Sequence, residues 1–98
     1  MHRVAFTKCL IHHILPIIAH VMINQFGNYL CQRIMEEAEV SDIKKIVDEI
    51  HDKLVDIALN VHGTRVIQIL ITRLSEPILE NIQRYEHVIL QAETAANS

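Results

Sequence analysis

The stretch Phe26–Gln32, FGNYLCQ, occurs again in altered form as His62–Gln68, HGTRVIQ; we call these box 1 and box 2. Their glycines stand at positions 27 and 63, so the boxes are 36 residues apart. The same offset pairs residues on both sides: Leu10 with Ile46, Ile14 with Ile50, Ile18 with Leu54, Val21 with Ile57, Asn24 with Asn60, Leu30 with Val66, Ile34 with Leu70 and Met35 with Ile71. A fixed period of about 20 to 50 residues is typical of stacked structural repeats. The sequence therefore predicts a repeat architecture.

The spacing of apolar residues predicts helices around box 1. Residues from about 4 to 24 have a helical pattern with a kink or break at Pro16, because proline removes a backbone donor and clashes with the preceding turn. A tight corner at Gln25–Gly27 then leads into a second helix from about Gly27 to Glu37.

A similar series is predicted around box 2. Ser41 is a candidate N-cap for a third helix whose strongly amphipathic pattern continues to Ala58. The corner Val61–Gly63 leads into a fourth helix that ends near Leu74. The segment Ser75–Pro77 has the residues of a helix start, and the fifth helix would carry Ile78, Ile82, Tyr85 and Ile89. The chain thus divides into repeat 1 (1–36), repeat 2 (37–72) and a partial repeat (73–98), a truncated array within one small domain.

Composition excludes several classes of protein. Half of the 98 residues are apolar, and two glycines and two prolines are few for a disordered chain. Two cysteines do not indicate a disulfide framework, so a reducing intracellular compartment is expected. The apolar run from Ile14 to Ile23 is broken by Pro16 and His20, which predicts a soluble protein with no membrane partner. A net charge of −3 means that any nucleic-acid binding must rest on a local surface.

The boxes carry residues suited to reading an unpaired base. Residues four apart lie on one helix face, so Asn28 projects beside Gln32 and Thr64 beside Gln68. A carboxamide offers both a donor and an acceptor to the edge of a base. Tyr29 and Arg65, one residue further on, offer a ring and a guanidinium plane on which a base can stack.

These two boxes, each preceded by an amphipathic helix, resemble the repeats of the Pumilio (PUF) family of RNA-binding proteins. The resemblance covers essentially the whole chain, although family members usually have about eight repeats. It implies an all-α, right-handed α-α superhelix of the armadillo-like type, built from three-helix repeats. Its concave face would bind single-stranded mRNA, one base per repeat, in 3′ untranslated regions. Post-transcriptional repression or decay of transcripts in the cytoplasm follows as an expectation, with protein co-repressors as further candidate partners.

The resemblance also implies roles for individual residues. Asn28 and Gln32 would contact the edge of a uracil with Tyr29 stacking, and Thr64 and Gln68 would contact an adenine with Arg65 stacking. Because the family binds RNA antiparallel to the protein, the implied dinucleotide is 5′-A-U-3′. Arg33 and Arg73 are candidate phosphate contacts.

Other interpretations carry less weight. A helical scaffold that binds a protein and has lost RNA binding is the main alternative, and it is favoured by the negative charge and the small number of repeats. No catalytic triad, acid pair or phosphate-binding loop stands out, so the chain is not expected to be an enzyme or to hold a cofactor. Cys9, His13 and His20 lack a matching pair of ligands elsewhere, so no metal site is predicted. The oligomeric state is left open.

Overall fold

The computed structural model of the chain describes residues 2–75 and residue 94. The helical elements follow in this order: α1 (His2–Ile14), a 3-10 turn (Leu15–Ile17), α2 (Ile18–Met22), α3 (Gly27–Glu37), α4 (Val40–Ile50), a second 3-10 turn (His51–Lys53), α5 (Leu54–Leu59) and α6 (63–75). The described residues contain no strand, and the predicted all-α repeat fold is confirmed. The predicted bounds of α3 agree with the structure, and its corner lies where expected.

Each repeat contains a bent helix at the same position. The two 3-10 turns, Leu15–Ile17 and His51–Lys53, are related by the 36-residue offset. The break predicted at Pro16 is confirmed, but the prediction of an unbroken third helix as far as Ala58 is wrong. Because Asp52 stands where repeat 1 has Pro16, proline is not required for the bend. In repeat 2 the bend lets Ile50, before it, and Ile57, after it, both reach the core.

The start of α4 differs from the sequence prediction. The backbone of Glu39 is extended and α4 begins at Val40, so Ser41 is an exposed residue of the first turn and not the N-cap. Asp42 places a negative charge in this turn, where the helix dipole favours it. Its carboxylate accepts a hydrogen bond of 2.8 Å from Lys8 Nζ of α1, and the two carboxylates near Lys8, Asp42 and then Glu39, raise the pKa of this amine.

One core continues through both repeats. Its buried side chains come from every helix between α1 and α6: Ile11, Ile18, Met22, Cys31, Ile34, Met35, Ala38, Ile43, Ile46, Ile50, Ile57, Val66, Ile67 and Leu70. The repeats are also joined at the surface by the contact between Lys8 and Asp42. Burial of a shared core lets stacked repeats stabilise one another.

The predicted fifth helix lies outside the described residues except for Ser75, which was expected to cap its start and is instead the last described residue of α6. The 20-residue segment Arg3–Met22, which reaches a mean hydropathy of 1.5 over 18 residues, is long and apolar enough to cross a membrane by length and composition alone, whereas the run from Ile14 to Ile23 is too short. In the structure a 3-10 turn divides this segment, and Ile11, Ile18 and Met22 lie in the core.

Candidate nucleic-acid interface

An asparagine side chain caps the start of each box helix. Asn24 Oδ1 accepts hydrogen bonds of 2.8 Å from the backbone N–H groups of Phe26 and Gly27. In the second copy, Asn60 Oδ1 accepts bonds of 2.8 and 3.0 Å from His62 and Gly63. These bonds satisfy donors that a helix N-terminus otherwise leaves unpaired. The sequence pairs the two asparagines, but their role was missed; an asparagine three residues before the glycine of a helix start was the available signal.

The box glycines allow close approach of the backbone. Neither has a positive φ, so the requirement is one of space. A Cβ on Gly27 would lie 2.7 Å from the carbonyl oxygen of Val21, and one on Gly63 would meet the carbonyl oxygen of Ile57. Each box helix is therefore seated tightly against the end of the bent helix that precedes it.

Asn28 lies inside the protein. Its side chain is 1% exposed, and Nδ2 donates to the carbonyl oxygens of Asn24 (2.8 Å) and Gln25 (3.0 Å). Its Oδ1 accepts a hydrogen bond of 2.9 Å from Nε2 of Gln32. Asn28 and Gln32 are thus neighbours, as the helical spacing predicts, but both amide hydrogens of Asn28 are already used within the chain.

Gln32 is the more accessible member of this pair. It is half-buried, and its bond to Asn28 fixes the orientation of its carboxamide. Its Oε1 and its second N–H remain available to a base edge. The roles of both residues toward RNA stay predictions.

Box 2 is more open. Thr64 is half-buried and has no carboxamide, so the bond between Asn28 and Gln32 has no counterpart here. Gln68 is exposed and lines an open groove of about 340 Å³, together with Glu36, Ile69, Thr72 and Arg73. The second carboxamide can therefore adopt more than one orientation toward a ligand.

The flat groups of both boxes reach the surface. Tyr29 is 58% exposed, and Arg65 is also exposed. Phe26, which the sequence analysis did not single out, is 75% exposed and lies three residues before Tyr29 on the same helix start. Exposed aromatic rings are groups on which an unpaired base can stack.

Arg33 and Arg65 differ in how available their guanidinium groups are to a ligand. Arg33 pairs with Glu37 at 2.9 Å, and Arg3 contacts the same carboxylate. Within residues 2–75, Arg65 forms no ion pair, so its guanidinium is more available than that of Arg33.

Arg73 ties α6 to the end of α3. Its Nη1 donates to the carbonyl oxygens of Met35 (2.7 Å) and Glu36 (2.9 Å), and its Nη2 donates to that of Ala38 (2.7 Å). A cation at this helix C-terminus satisfies carbonyl groups that lack helical partners. This contact between the repeats was not predicted from the sequence, and a phosphate role for Arg73 stays a prediction.

Cysteine and histidine residues do not gather into a metal site in the described part of the chain. Residues 2–75 contain no grouping of three or more His, Cys, Asp or Glu side chains that could hold an ion. Cys31 is fully buried, and this burial raises the pKa of its thiol to about 12, so it packs as a neutral side chain.

Comparison with known protein families agrees with this geometry. The model of the Pumilio-family RNA binding repeat matches residues 18–51 and 53–83, which is more than half of the chain. The chain belongs to the Pumilio family. The family is one of RNA-binding repeats and not of enzymes, and the two matched segments contain box 1 and box 2.

Pumilio proteins from fungi and plants show measurable identity. A Pumilio domain-containing protein of Schizosaccharomyces pombe is 42% identical over 62 residues, which cover 63% of this chain and 9% of that protein. Pumilio homolog 12 of Arabidopsis thaliana is 32% identical over 84 residues, which cover 83% of this chain and 13% of the relative. The chain therefore corresponds to a small part of each relative. No solved structure matches it at a significant level.

Proposed function

We propose that this Pumilio chain binds single-stranded mRNA selectively, one base per box, and thereby represses transcripts or promotes their decay in the cytoplasm. The observation that carries the proposal is the repeated surface at the box helices. Each box presents a glutamine, Gln32 or Gln68, and an exposed flat group, Tyr29 or Arg65. Recognition of single-stranded RNA requires a polar group that contacts the edge of a base and a flat group on which the base stacks, and each box has both.

The two boxes would read RNA in different ways. In box 1, Gln32 would contact the base edge while Asn28 holds its carboxamide in place; direct contact by Asn28 would require it to give up a hydrogen bond to the corner. In box 2, Gln68 and Thr64 would both be open to the base. Uracil at box 1 and adenine at box 2 are the preferences that the family pattern supports.

Affinity for a two-base element is expected to be weak. Stacking contributes about 1–3 kcal/mol per base, whereas association costs about 4–15 kcal/mol. Exposed Arg65 is the group best placed to add a charge-dependent term, because Arg33 is paired with Glu37. We therefore expect dissociation constants in the micromolar to millimolar range for the isolated chain.

Fluorescence anisotropy with a short uridine- and adenine-rich RNA tests the proposal. Arg65→Ala should weaken binding by about 1–3 kcal/mol, because it removes a stacking plane. Lys44→Ala is a matched control: it removes the same charge from an exposed position on α4, which belongs to neither box, and should change affinity only slightly. Added salt should weaken binding of the unmodified chain. Equal losses in the two variants would mean that the box 2 surface does not bind RNA.

A protein-binding scaffold is the second candidate function. It is favoured by the net charge of −3, because a negatively charged chain gains less from contact with RNA phosphates. The anisotropy experiment separates the two functions, because a scaffold would remain helical by circular dichroism and show no RNA binding that depends on Arg65.

A further inference from the structure

Arg73 of α6 binds the C-terminal end of α3 through three carbonyl groups. Its Nη1 donates to the carbonyl oxygens of Met35 (2.7 Å) and Glu36 (2.9 Å), and its Nη2 donates to that of Ala38 (2.7 Å). The bonds to Met35 and Ala38 are partly buried, and hydrogen bonds shielded from water are stronger than exposed ones. Because a guanidinium group holds its donors in a rigid plane, this contact fixes the orientation of α6 on α3 as well as its distance.

The contact lies at a similar height on both box helices. On α3, Glu36 follows Gln32 by four residues, which is about one helical turn. On α6, Arg73 follows Gln68 by five residues, which is slightly more than one turn. Both glutamines therefore stand close to the point at which their helices are joined. The join determines how far one glutamine is shifted along the helix direction relative to the other.

Arg73 also borders the groove beside the reading glutamine of box 2. It lines the open groove of about 340 Å³ together with Gln68 and with Glu36 of repeat 1. The groove is thus built from both repeats, and the bonds of Arg73 to α3 hold its two sides together. The counterpart of Arg73 in repeat 1 is Glu37, so this contact belongs to the junction of the two repeats and is not part of the repeated pattern.

We propose that Arg73 is a positioning residue for RNA: it sets the register of box 2 against box 1, so that the two glutamines meet the bases of neighbouring nucleotides. This role rests on the proposed function and adds to it a selectivity for the spacing between two bases. When two sites bind one strand, the second contact gains from the first only if the sites are held at a separation that the strand can span. Arg73 thus acts through α3 and not through a phosphate group, which is the role that its charge alone predicts.

Fluorescence anisotropy with two RNAs of equal length tests this role. One carries adenine and uracil on neighbouring nucleotides, in the order 5′-A-U-3′, and the other has an abasic nucleotide between them; every other position is abasic. The unmodified chain should prefer the first RNA by about 5- to 150-fold, the contribution of a stacked base. Arg73→Lys, which keeps the charge but not the fork, and Arg73→Gln should both bring this ratio to about 1, because a loosely joined pair of sites binds either spacing.

The ratio of the two affinities separates positioning from a loss of stability. Both RNAs are titrated against the same sample, so a smaller fraction of folded protein lowers both apparent affinities equally and leaves their ratio unchanged. Arg3→Lys is the control: Arg3 is an exposed arginine of α1 that contacts Glu37, and its replacement should not change the ratio. Circular dichroism verifies that each variant is helical.

Three results would count against this role of Arg73. An Arg73→Lys chain that keeps the spacing preference would overturn it, and so would an unmodified chain that binds the two RNAs equally well. A phosphate contact predicts that Arg73→Lys keeps the ratio, while Arg73→Gln reduces the slope of log affinity against log salt concentration by about 0.7. If the unmodified chain binds neither RNA, the proposed function itself is wrong, and the positioning role falls with it.

Discussion

Box 1 and box 2 begin alike and then differ. In both, an asparagine caps the corner, a glycine seats the helix against the preceding carbonyl, and a glutamine follows five residues after the glycine. Among the positions at which the boxes differ, one lies beside the glutamine: Asn28 is buried and bonded to Gln32, whereas Thr64 is half-buried and Gln68 is exposed. The Asn28 side chain thus holds Gln32 in one orientation, and box 2 has no counterpart of this bond.

The comparison teaches how repeats can diverge without loss of the fold. The parts that position the helix, Asn24 and Gly27 with their counterparts Asn60 and Gly63, are the same in both copies. At one of the positions that vary, Asn28 forms hydrogen bonds to the corner and to Gln32. In the proposed RNA complex, selectivity and stability are therefore coupled in box 1, because Asn28 bonds both to the corner and to Gln32, and they are more independent in box 2.

The largest effect is expected in thiol reactivity, which reports opening of box 1. At pH 8, Cys31 should be alkylated at least about 100-fold more slowly than exposed Cys9, which corresponds to an opening free energy of about 3 kcal/mol. The thiol introduced by Ile67→Cys, in a chain with Cys9→Ser, gives the matching rate for box 2 and should react faster than Cys31. Equal rates for Cys9 and Cys31 would contradict a packed core at box 1.

The same thiol gives a pH dependence. The pKa of Cys31 is about 12 in the folded chain against an ordinary value of 9.0, so the folded state holds this proton more tightly. The resulting stabilisation is fully present below pH 9 and is lost as the pH rises toward 12. Protection of Cys31 should decrease over that range, and Cys31→Val should remove this component of the pH dependence.

Replacement of Asn28 by threonine, the residue at its counterpart in box 2, should have the next largest effect, on the free energy of unfolding. Asn28→Thr makes box 1 resemble box 2, removes the bonds to Asn24 and Gln25, and should lower the free energy of unfolding by about 1–3 kcal/mol, the cost of buried groups that lose their partners. Urea denaturation followed by circular dichroism measures it. Thr64→Ala is the control and should cost less, because Thr64 is only half-buried. Equal costs would mean that the Asn28 bonds contribute nothing specific.

Methyl groups added at the glycines should have a smaller net effect. Gly63→Ala forces a Cβ against the carbonyl oxygen of Ile57, and the cost of overpacking is partly offset by the better helix propensity of alanine, for a net loss of about 1–2 kcal/mol. Gly27→Ala should cost less, because the gap to the Val21 carbonyl oxygen is wider at 2.7 Å. Thermal unfolding of the two variants gives the order, and stabilisation by either substitution would show that the close approach is not required.

Much of the fold could be predicted from the sequence, because the period and the corners are local signals. The repeat offset, the break near Pro16 and the bounds of α3 agree with the structure. The break at His51–Lys53 was missed because no proline marks it; it depends on the packing of both parts of the bent helix in the core. Ser41 was wrongly assigned as a cap because a suitable residue type does not fix the residue at which a helix starts.

The site was less predictable, because helical spacing places side chains on a face without fixing their rotamers. Asn28 and Gln32 share a face as expected, but Asn28 turns back to the corner carbonyls, which are nearby partners for a first-turn carboxamide. Arg73 was judged by its charge alone, whereas its contacts cross from repeat 2 to the end of α3 and depend on tertiary structure. Phe26 was assigned to the corner, and its exposure could not be read from the pattern.

The central claim, that each box reads one base, is tested most directly by a base-preference titration with Thr64→Asn. Four short RNAs that differ only in the base opposite box 2 would be titrated against the unmodified chain and this variant, with the uracil opposite box 1 held constant. We expect the unmodified chain to prefer adenine and Thr64→Asn to prefer uracil, because it makes box 2 resemble box 1. If both proteins bind the four RNAs in the same order of affinity, the boxes do not read bases in this way.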